Sequence, residues 1–314
     1  MSGNRRIILA GGSGFIGRAL ADDLVPAGYE LVVLTRRADR PGPIRYVHWD
    51  GRTIGEWARE LDGALAVVNL AGRNVNCRYT AEHRREIQSS RVDAVRAVGE
   101  AIARCATPPK VLIQSSTTAI YGDAGDRWCD EFTPSGQGFS PETATLWERT
   151  FHETPTPHAR RVLLRIAFVL GRGGGALGTL ERLTRWFLGG RAGTGRQWIS
   201  WLHVHDLCRA VRFAIEREDV SGLYNVCTPQ PVTNAEFMRE LRRVLHWPWS
   251  PPAPVWAVRL GAWVMRSEAE LALWGRRCSS QRLLETGFEL RFPDLRGALD
   301  DLYVDSVVRK DALL

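Results

Sequence analysis

The chain has 314 residues, 44% of them hydrophobic, with 42 Lys and Arg against 35 Asp and Glu. That composition excludes a disordered chain, and the length suits one large α/β domain with a smaller lobe. The net charge of +7 is spread along the chain, with Lys110 and Lys310 the only lysines, so a solvated surface and one anionic small ligand explain it better than nucleic acid.

From the N-terminus, "MSGNRRIILAGG" enters an apolar strand with no signal-peptide hydrophobic region. The first strand is "RIILA", followed by a helix over "FIGRALADDLVPAG" that closes at Gly28. "ELVVLT", "IRYVHW" and "ALAVVNL" read as the next three strands, and a long helix follows over residues 81–105. "KVLIQSS" and "RRVLLRIAFVL" then complete a set of nearly all-apolar strands. Such strands, alternating with helices, are those of a parallel sheet covered on both faces. The expected fold class is α/β, a Rossmann-type doubly wound parallel sheet with a smaller C-terminal α/β lobe.

After Gly171 the texture changes to Gly-rich and Trp-rich loops, and "HVHDLCRAVRFAIER" reads as one more sheet-covering helix. The large domain is therefore expected over residues 1–171 with 198–228 returning to it, and the smaller lobe over 172–197 and 229–314. "VWAVRLGAWVM" is too short to span a bilayer and carries Arg259. It reads as a packed or lid helix, and no membrane partner is expected. The six cysteines are scattered without a C-x-x-C pair, so neither a disulfide framework nor a metal site follows, and a reduced, cytoplasmic setting fits.

In "IILAGGSGFIG", Gly11, Gly14 and Gly17 stand between a strand and a helix. Gly11 permits a tight turn, Gly14 lets a pyrophosphate approach the backbone, and Gly17 allows close helix–strand packing. The helix N-terminus near Phe15 then offers free N–H groups to phosphates. The second strand chooses the cofactor. It ends in Thr35, Arg36 and Arg37, with no acid before Asp39. An acid there would repel a 2′-phosphate, whereas a guanidinium binds it through two hydrogen bonds, so NADP(H) is expected over NAD(H). The fourth strand ends in "VVNLAG", small residues that let the backbone pass close to a ribose.

With these motifs stand "SSRVDAVRAV", "YGD", "WE", "VLGRGGGAL", "GTGRQWISWLHVHDL", "GLYNVCTPQPVTNAEF" and "LLETGFELRFPDLRGAL". In this order they resemble, over nearly the whole chain, the extended short-chain dehydrogenase/reductase superfamily. Within it they are similar to the atypical "epimerase family" group of NADP-binding proteins with a conserved C-terminal domain of unknown function. The resemblance implies that NADP(H) lies on Gly11, Gly12, Ser13, Gly14, Phe15, Ile16 and Gly17. It implies Arg36 and Arg37 near the adenosine phosphate, Leu70, Ala71 and Gly72 along the ribose, and Arg91 reaching the cleft from the long helix. It also places Arg165, Gln197, Trp198, Trp201, His203 and Asp206 beside a cleft between the lobes, makes the C-terminal lobe the substrate lobe, and is compatible with a homodimer through the long helix. Ala167 and His205 depart from the group's usual pattern.

In that superfamily a Tyr exchanges a proton with the substrate oxygen while a Lys four residues on lowers its pKa. The residues four positions after the six tyrosines here are Val33, Asp50, His83, Gly125, Thr228 and Val307, and none is Lys. Counting back from Glu148, Ser140 and Ala144 take the two places. The substitutes nearest the nicotinamide are Ser116 and Thr117 at the end of the fifth strand, with Tyr121 on the following loop. Two functions are open: an NADP(H)-dependent oxidoreductase or epimerase-like enzyme on an unidentified carbonyl or alcohol, and a non-catalytic NADP(H)-binding protein whose partner affinity follows cofactor redox state.

Overall fold

The computed structural model describes residues 5–37, 42 and 44–303; Asp39 and Lys310 lie outside them. In chain order the strands are β1 (Arg6–Ala10), β2 (Glu30–Thr35), β3 (Arg45–His48), β4 (Ala66–Asn69), β5 (Val111–Thr117), β6 (Trp128–Cys129), β7 (Arg160–Ile166), β8 (Phe168–Leu170), β9 (Trp198–Ile199), β10 (Trp201–His203), β11 (Gly222–Val226), β12 (Val232–Thr233) and β13 (Arg277–Cys278). The α-helices are α1 (Phe15–Leu24), α2 (Ala81–Ala103), α3 (Phe139–Glu153), α4 (Leu177–Arg185), α5 (Val204–Glu216), α6 (Asn234–Val244), α7 (Val255–Val264), α8 (Glu270–Leu273), α9 (Gln281–Glu285) and α10 (Leu295–Tyr303).

Seven strands form one parallel sheet in the order β11-β7-β5-β4-β1-β2-β3. The order reverses direction between β1 and β4, and this is where open α/β sheets bind ligands, beyond the carboxyl ends of their strands. Alternate residues of each strand feed two cores. Ile7 and Leu9 pack toward α1 and α5, while Ile8 and Ala10 pack with Ala94, Val98 and Ile102 of α2 and Trp147 and Phe151 of α3. Burying both faces is what made the strands read as continuous apolar runs.

The run "RRVLLRIAFVL" is not one strand. It breaks at Ala167, whose N–H bonds to Val226 O, while the N–H of Phe168 turns to Ser200 O. Beyond the break, β8 leaves the main sheet and pairs with β10. This divergence carries the chain into a third core, where Leu170, Trp201, Phe237, Leu241, Leu299 and Tyr303 pack together. The chain crosses back through α5 and β11, and β11 joins the main sheet beside β7. A capping box between Thr233 and Glu236 starts α6, and the Thr80 side chain caps α2.

Candidate functional site: the switch-point crevice and a buried ionic network

The glycine turn lies at the switch point. Gly11 has φ +73°, and a Cβ there would stand 2.7 Å from Cα of Ala71, so β1 and β4 touch backbone to backbone through this residue. Gly17 closes the other end, since a Cβ on it would meet the Gly12 carbonyl oxygen at 2.0 Å. Gly14 differs from both. Among the described residues nothing stands within 4 Å of the place its Cβ would occupy, and Gly14 is the N-cap of α1, with no side-chain cap and no acid in the first helical turn. The first N–H groups of α1 have no side-chain cap, and the open space at Gly14 lies at the positive end of the helix dipole, a geometry that suits an anion. The Phe15 ring turns away and nests against Gly171, Gly174 and Gly175, which ties the helix start to the loop after β8.

Around this turn, Arg36 and Arg37 follow β2 and are exposed, next to the buried Thr35. Leu70, Ala71 and Gly72 leave β4 beside Gly11. Behind Gly72 stands Arg91, whose guanidinium carbon a Gly72 Cβ would approach to 3.2 Å. Its Nη1 donates to the carbonyls of Arg73 and Ile87, and its guanidinium lies 5.0 Å from the Trp147 ring. Burial pushes the Arg91 pKa down to about 10, still a cation at neutral pH. Deeper in the crevice, Asn69 and Gln114 bond side chain to side chain across β4 and β5 (2.9 Å), and the Ser115 hydroxyl donates to Asn69 O. These bonds fix the floor on which Leu70–Gly72 rest.

The strand-end hydroxyls divide sharply. The Ser116 hydroxyl donates to Glu148 Oε1 at 2.5 Å. Glu148 is held by Arg165 through two parallel bonds, Nε to Oε1 at 2.9 Å and Nη2 to Oε2 at 2.7 Å. Arg165 Nη1 also donates to the Tyr121 hydroxyl at 2.9 Å. That phenol lies 2.8 Å from Asn225 Oδ1 and 2.7 Å from the Asp130 carbonyl. Ser116, Arg165 and Asn225 occupy the same level on β5, β7 and β11, so register lines up the strand members, while α3 supplies Glu148 and the turn after β5 supplies Tyr121. Burial pushes the Tyr121 pKa up, and the adjacent Arg165 offsets only part of that. Burial also opposes the charge on Arg165, but the Glu148 bonds outweigh it and raise its pKa. Tyr121, expected to act on substrate, is instead a buried strut, because its ring is 1% exposed and its hydroxyl is already partnered. Ser116 is engaged in the same way. Thr117 is different: its Oγ1 accepts from Ala119 N at 3.1 Å, which leaves its own proton for another acceptor.

Ser140 and Ala144 stand on α3, one helical turn apart, and Ala144 is buried. Beside Ser140 lies a residue that sequence reasoning passed over. The Tyr79 ring packs edge-on to Phe139 at 4.7 Å, and its hydroxyl is buried beside the Ser140 side chain. Burial raises its pKa, and the Ser140 side chain offsets part of that. No spacing could reveal this pairing, since it arises from α2 and α3 lying side by side.

The other residues expected at the inter-lobe cleft are mostly structural. Trp201 is fully buried, with its indole N–H on Gln230 O. Gln197 bonds the carbonyls of Ala192 and Ala272, and Trp198 bonds Asp126. The buried carboxylate of Asp206 accepts from the backbone N–H groups of Arg291 and Phe292, pinning α5 to the loop before α10. A pocket of about 330 Å³ opens between α1 and α5, lined by Arg18, Asp22, Arg172 and His205, but it shares only Phe15 with the glycine turn.

His203 is fully buried, and its Nδ1 accepts from His205 N. Two influences oppose at its ring. Burial, with His205 and Arg291 nearby, pushes its pKa down to about 3, whereas Asp301 lies 3.3 Å from Nε2 and favours the charged form. The ring has no access to water while Asp301 is partly solvated, so burial dominates and the imidazole is neutral. An unfolded histidine takes its proton near pH 6.5. Between that pH and about 3 the unfolded chain therefore binds the extra proton, and stability falls as pH drops, by up to about 1.4 kcal/mol per pH unit. Urea melts from pH 7 to 4 should show His203→Gln with a shallower slope than the wild type; equal slopes would remove this assignment.

An open parallel sheet with a glycine turn and an uncapped helix at its switch point defines the Rossmann-type class. The chain belongs to the NAD dependent epimerase/dehydratase family, whose model matches residues 7–227. Residues 253–302 match a domain of unknown function, DUF1731. The chain is 32% identical to the Bacillus subtilis epimerase family protein YfhF, over 95% of this chain and 98% of that one. It is 34% identical to the human epimerase family protein SDR39U1, over 95% and 99% of the two chains. The crystal structure of human SDR39U1 (isoform 2) with NADPH superposes with a TM-score of 0.85 at 32% identity, covering 95% of this chain and 99% of that one.

Proposed function

We propose that this protein binds NADP(H) in the switch-point crevice and acts as an oxidoreductase or epimerase-like enzyme on a carbonyl or alcohol. The observation that carries the reading is the open space at Gly14 over an uncapped, acid-free helix N-terminus. Gly11 to Gly17 would hold the pyrophosphate, Arg36 and Arg37 the 2′-phosphate, Leu70, Ala71 and Gly72 the ribose, and Arg91 would lend positive charge from behind Gly72. The relative crystallised with NADPH supports the same choice of nucleotide. When bound, the nicotinamide supplies reversible hydride exchange. The protein's part is to hold and polarise the substrate oxygen, and Thr117 is the strand-end hydroxyl with a proton left to donate.

A second reading has its own support. Ser116 and Tyr121 are committed to a buried network, which suits a non-catalytic, redox-sensing binder. A screen of aldehydes, ketones and nucleotide sugars, followed by NADPH absorbance, separates the two. Turnover should fall at least about tenfold in Thr117→Val, as for loss of one hydrogen bond to the reacting oxygen. No turnover on any carbonyl, with NADPH still bound, would favour the redox-sensing binder.

A further inference from the structure

We propose that a tryptophan-rich face of the C-terminal lobe docks on an anionic lipid bilayer. The helix α7 touches the large domain at its C-terminal end, where Arg78 donates to Trp263 O and lies 5.5 Å from the Trp263 ring, yet only Ala262 in it is buried. Trp256 is 69% exposed and Trp263 64% exposed, with Leu260 and Val264 likewise open to solvent. Trp256, Leu260, Trp263 and Val264 fall at i, i+4, i+7 and i+8, along one side of the helix. The tip after α4 adds Trp186, 79% exposed, together with Phe187 and Leu188.

The stretch that leads into α7 runs beside the tip and the loop that follows it. The Phe187 ring packs on Trp247 at 4.8 Å, the N–H of Gly193 bonds Ala253 O, and the N–H of Ala253 bonds Arg191 O. Gly190 lies so close to Pro251 that a Cβ would overlap its carbonyl. Phe187 holds φ +59°, a conformation bulky residues avoid. Apolar surface on this scale, left uncovered, marks an interaction face.

Charge selects the occupant. No Asp or Glu occurs from Arg182 to His205 or from His246 to Ser267, whereas Arg182, Arg191, Arg196, Arg259 and Arg266 fall in those stretches; Arg185 is paired with Glu181, and Glu268 and Glu270 follow the second stretch. Tryptophan concentrates at membrane–water interfaces, where its ring is buried and its N–H stays wet. Arginine stems lie along the apolar layer while their heads reach lipid phosphates. A short, nearly all-apolar helix flanked by tryptophan and arginine is suited to the interface rather than to crossing it. No helix of the described residues is long and apolar enough to cross a membrane, so the contact is peripheral.

The test is co-sedimentation of the full chain with vesicles of phosphatidylcholine containing phosphatidylglycerol, against phosphatidylcholine alone. The expected result is pelleting with the anionic vesicles only, a blue shift of tryptophan fluorescence, and release as salt is raised. Trp256→Glu/Trp263→Glu should lower the bound fraction at least about tenfold, with an unchanged melting temperature showing that it folds. Wild type left in the supernatant, equal binding to neutral vesicles, or unaltered binding by the double variant would each overturn the proposal. So would a wild-type dimer by light scattering that the double variant abolishes, since the face would then join two copies of the chain.

Discussion

Glu148→Ala is expected to destabilise the protein by about 3–5 kcal/mol, the range for breaking a buried ion pair by removing one partner. Glu148 and Arg165 are each only 8% exposed at their side chains. Loss of the carboxylate leaves a guanidinium with Tyr121 and the Glu131 carbonyl as acceptors but no counter-charge. It also strips Ser116 of its acceptor. The damage would spread, because the network joins α3, β5, β7 and β11, and Asn225 continues it to Ser279 O in the C-terminal lobe. Replacing both charges, in Glu148→Leu/Arg165→Met, removes the unpaired charge and should recover most of the loss. Denaturant melts of the three proteins decide the point: a double variant no more stable than Glu148→Ala would mean that the hydrogen bonds, and not the charge balance, hold this region.

The second large effect concerns the glycine turn, where two neighbouring glycines should respond differently. Gly17→Ala places a methyl 2.0 Å from a backbone carbonyl oxygen, which no rotamer change relieves. Both melting temperature and NADPH affinity should drop, the affinity by about 100-fold or more, equivalent to about 2.7 kcal/mol. Gly14→Ala meets no atom within 4 Å among the described residues, and φ there is −80°, a conformation alanine accepts. Its melting temperature should stay at the wild-type value while NADPH affinity falls, because the added methyl enters the space assigned to the pyrophosphate. Calorimetry and fluorescence titration together read the pair. If Gly14→Ala bound NADPH as the wild type does, the pyrophosphate would not lie there.

The parallel sheet and the glycine turn were legible in the sequence because both are local. A run of apolar residues between helical patterns reports a strand buried on both faces, and a glycine spacing reports a turn. The break at Ala167 was not legible, since β7 and β8 are equally apolar and only their different partners, Val226 and Ser200, bend the chain between them. The ionic network escaped for a related reason. Ser116, Tyr121, Glu148, Arg165 and Asn225 are spread over more than a hundred residues, and sheet register, with α3 and the turn after β5, brings them together. Tyr121 therefore looked like a free phenol at a loop, although its hydroxyl is consumed. Nor could the pattern "VWAVRLGAWVM" distinguish a helix packed on its neighbours from one left exposed, because both are equally apolar.

The claim that the switch-point crevice holds NADP(H) is tested most directly by fluorescence titration of the protein with NADPH and NADH side by side. The account predicts NADPH binding tighter by about tenfold or more, the worth of a charge-assisted contact to the 2′-phosphate, and a gap that closes in Arg36→Ser/Arg37→Ser. Equal affinity for the two nucleotides in the wild type, or a preference that survives loss of both arginines, would contradict it.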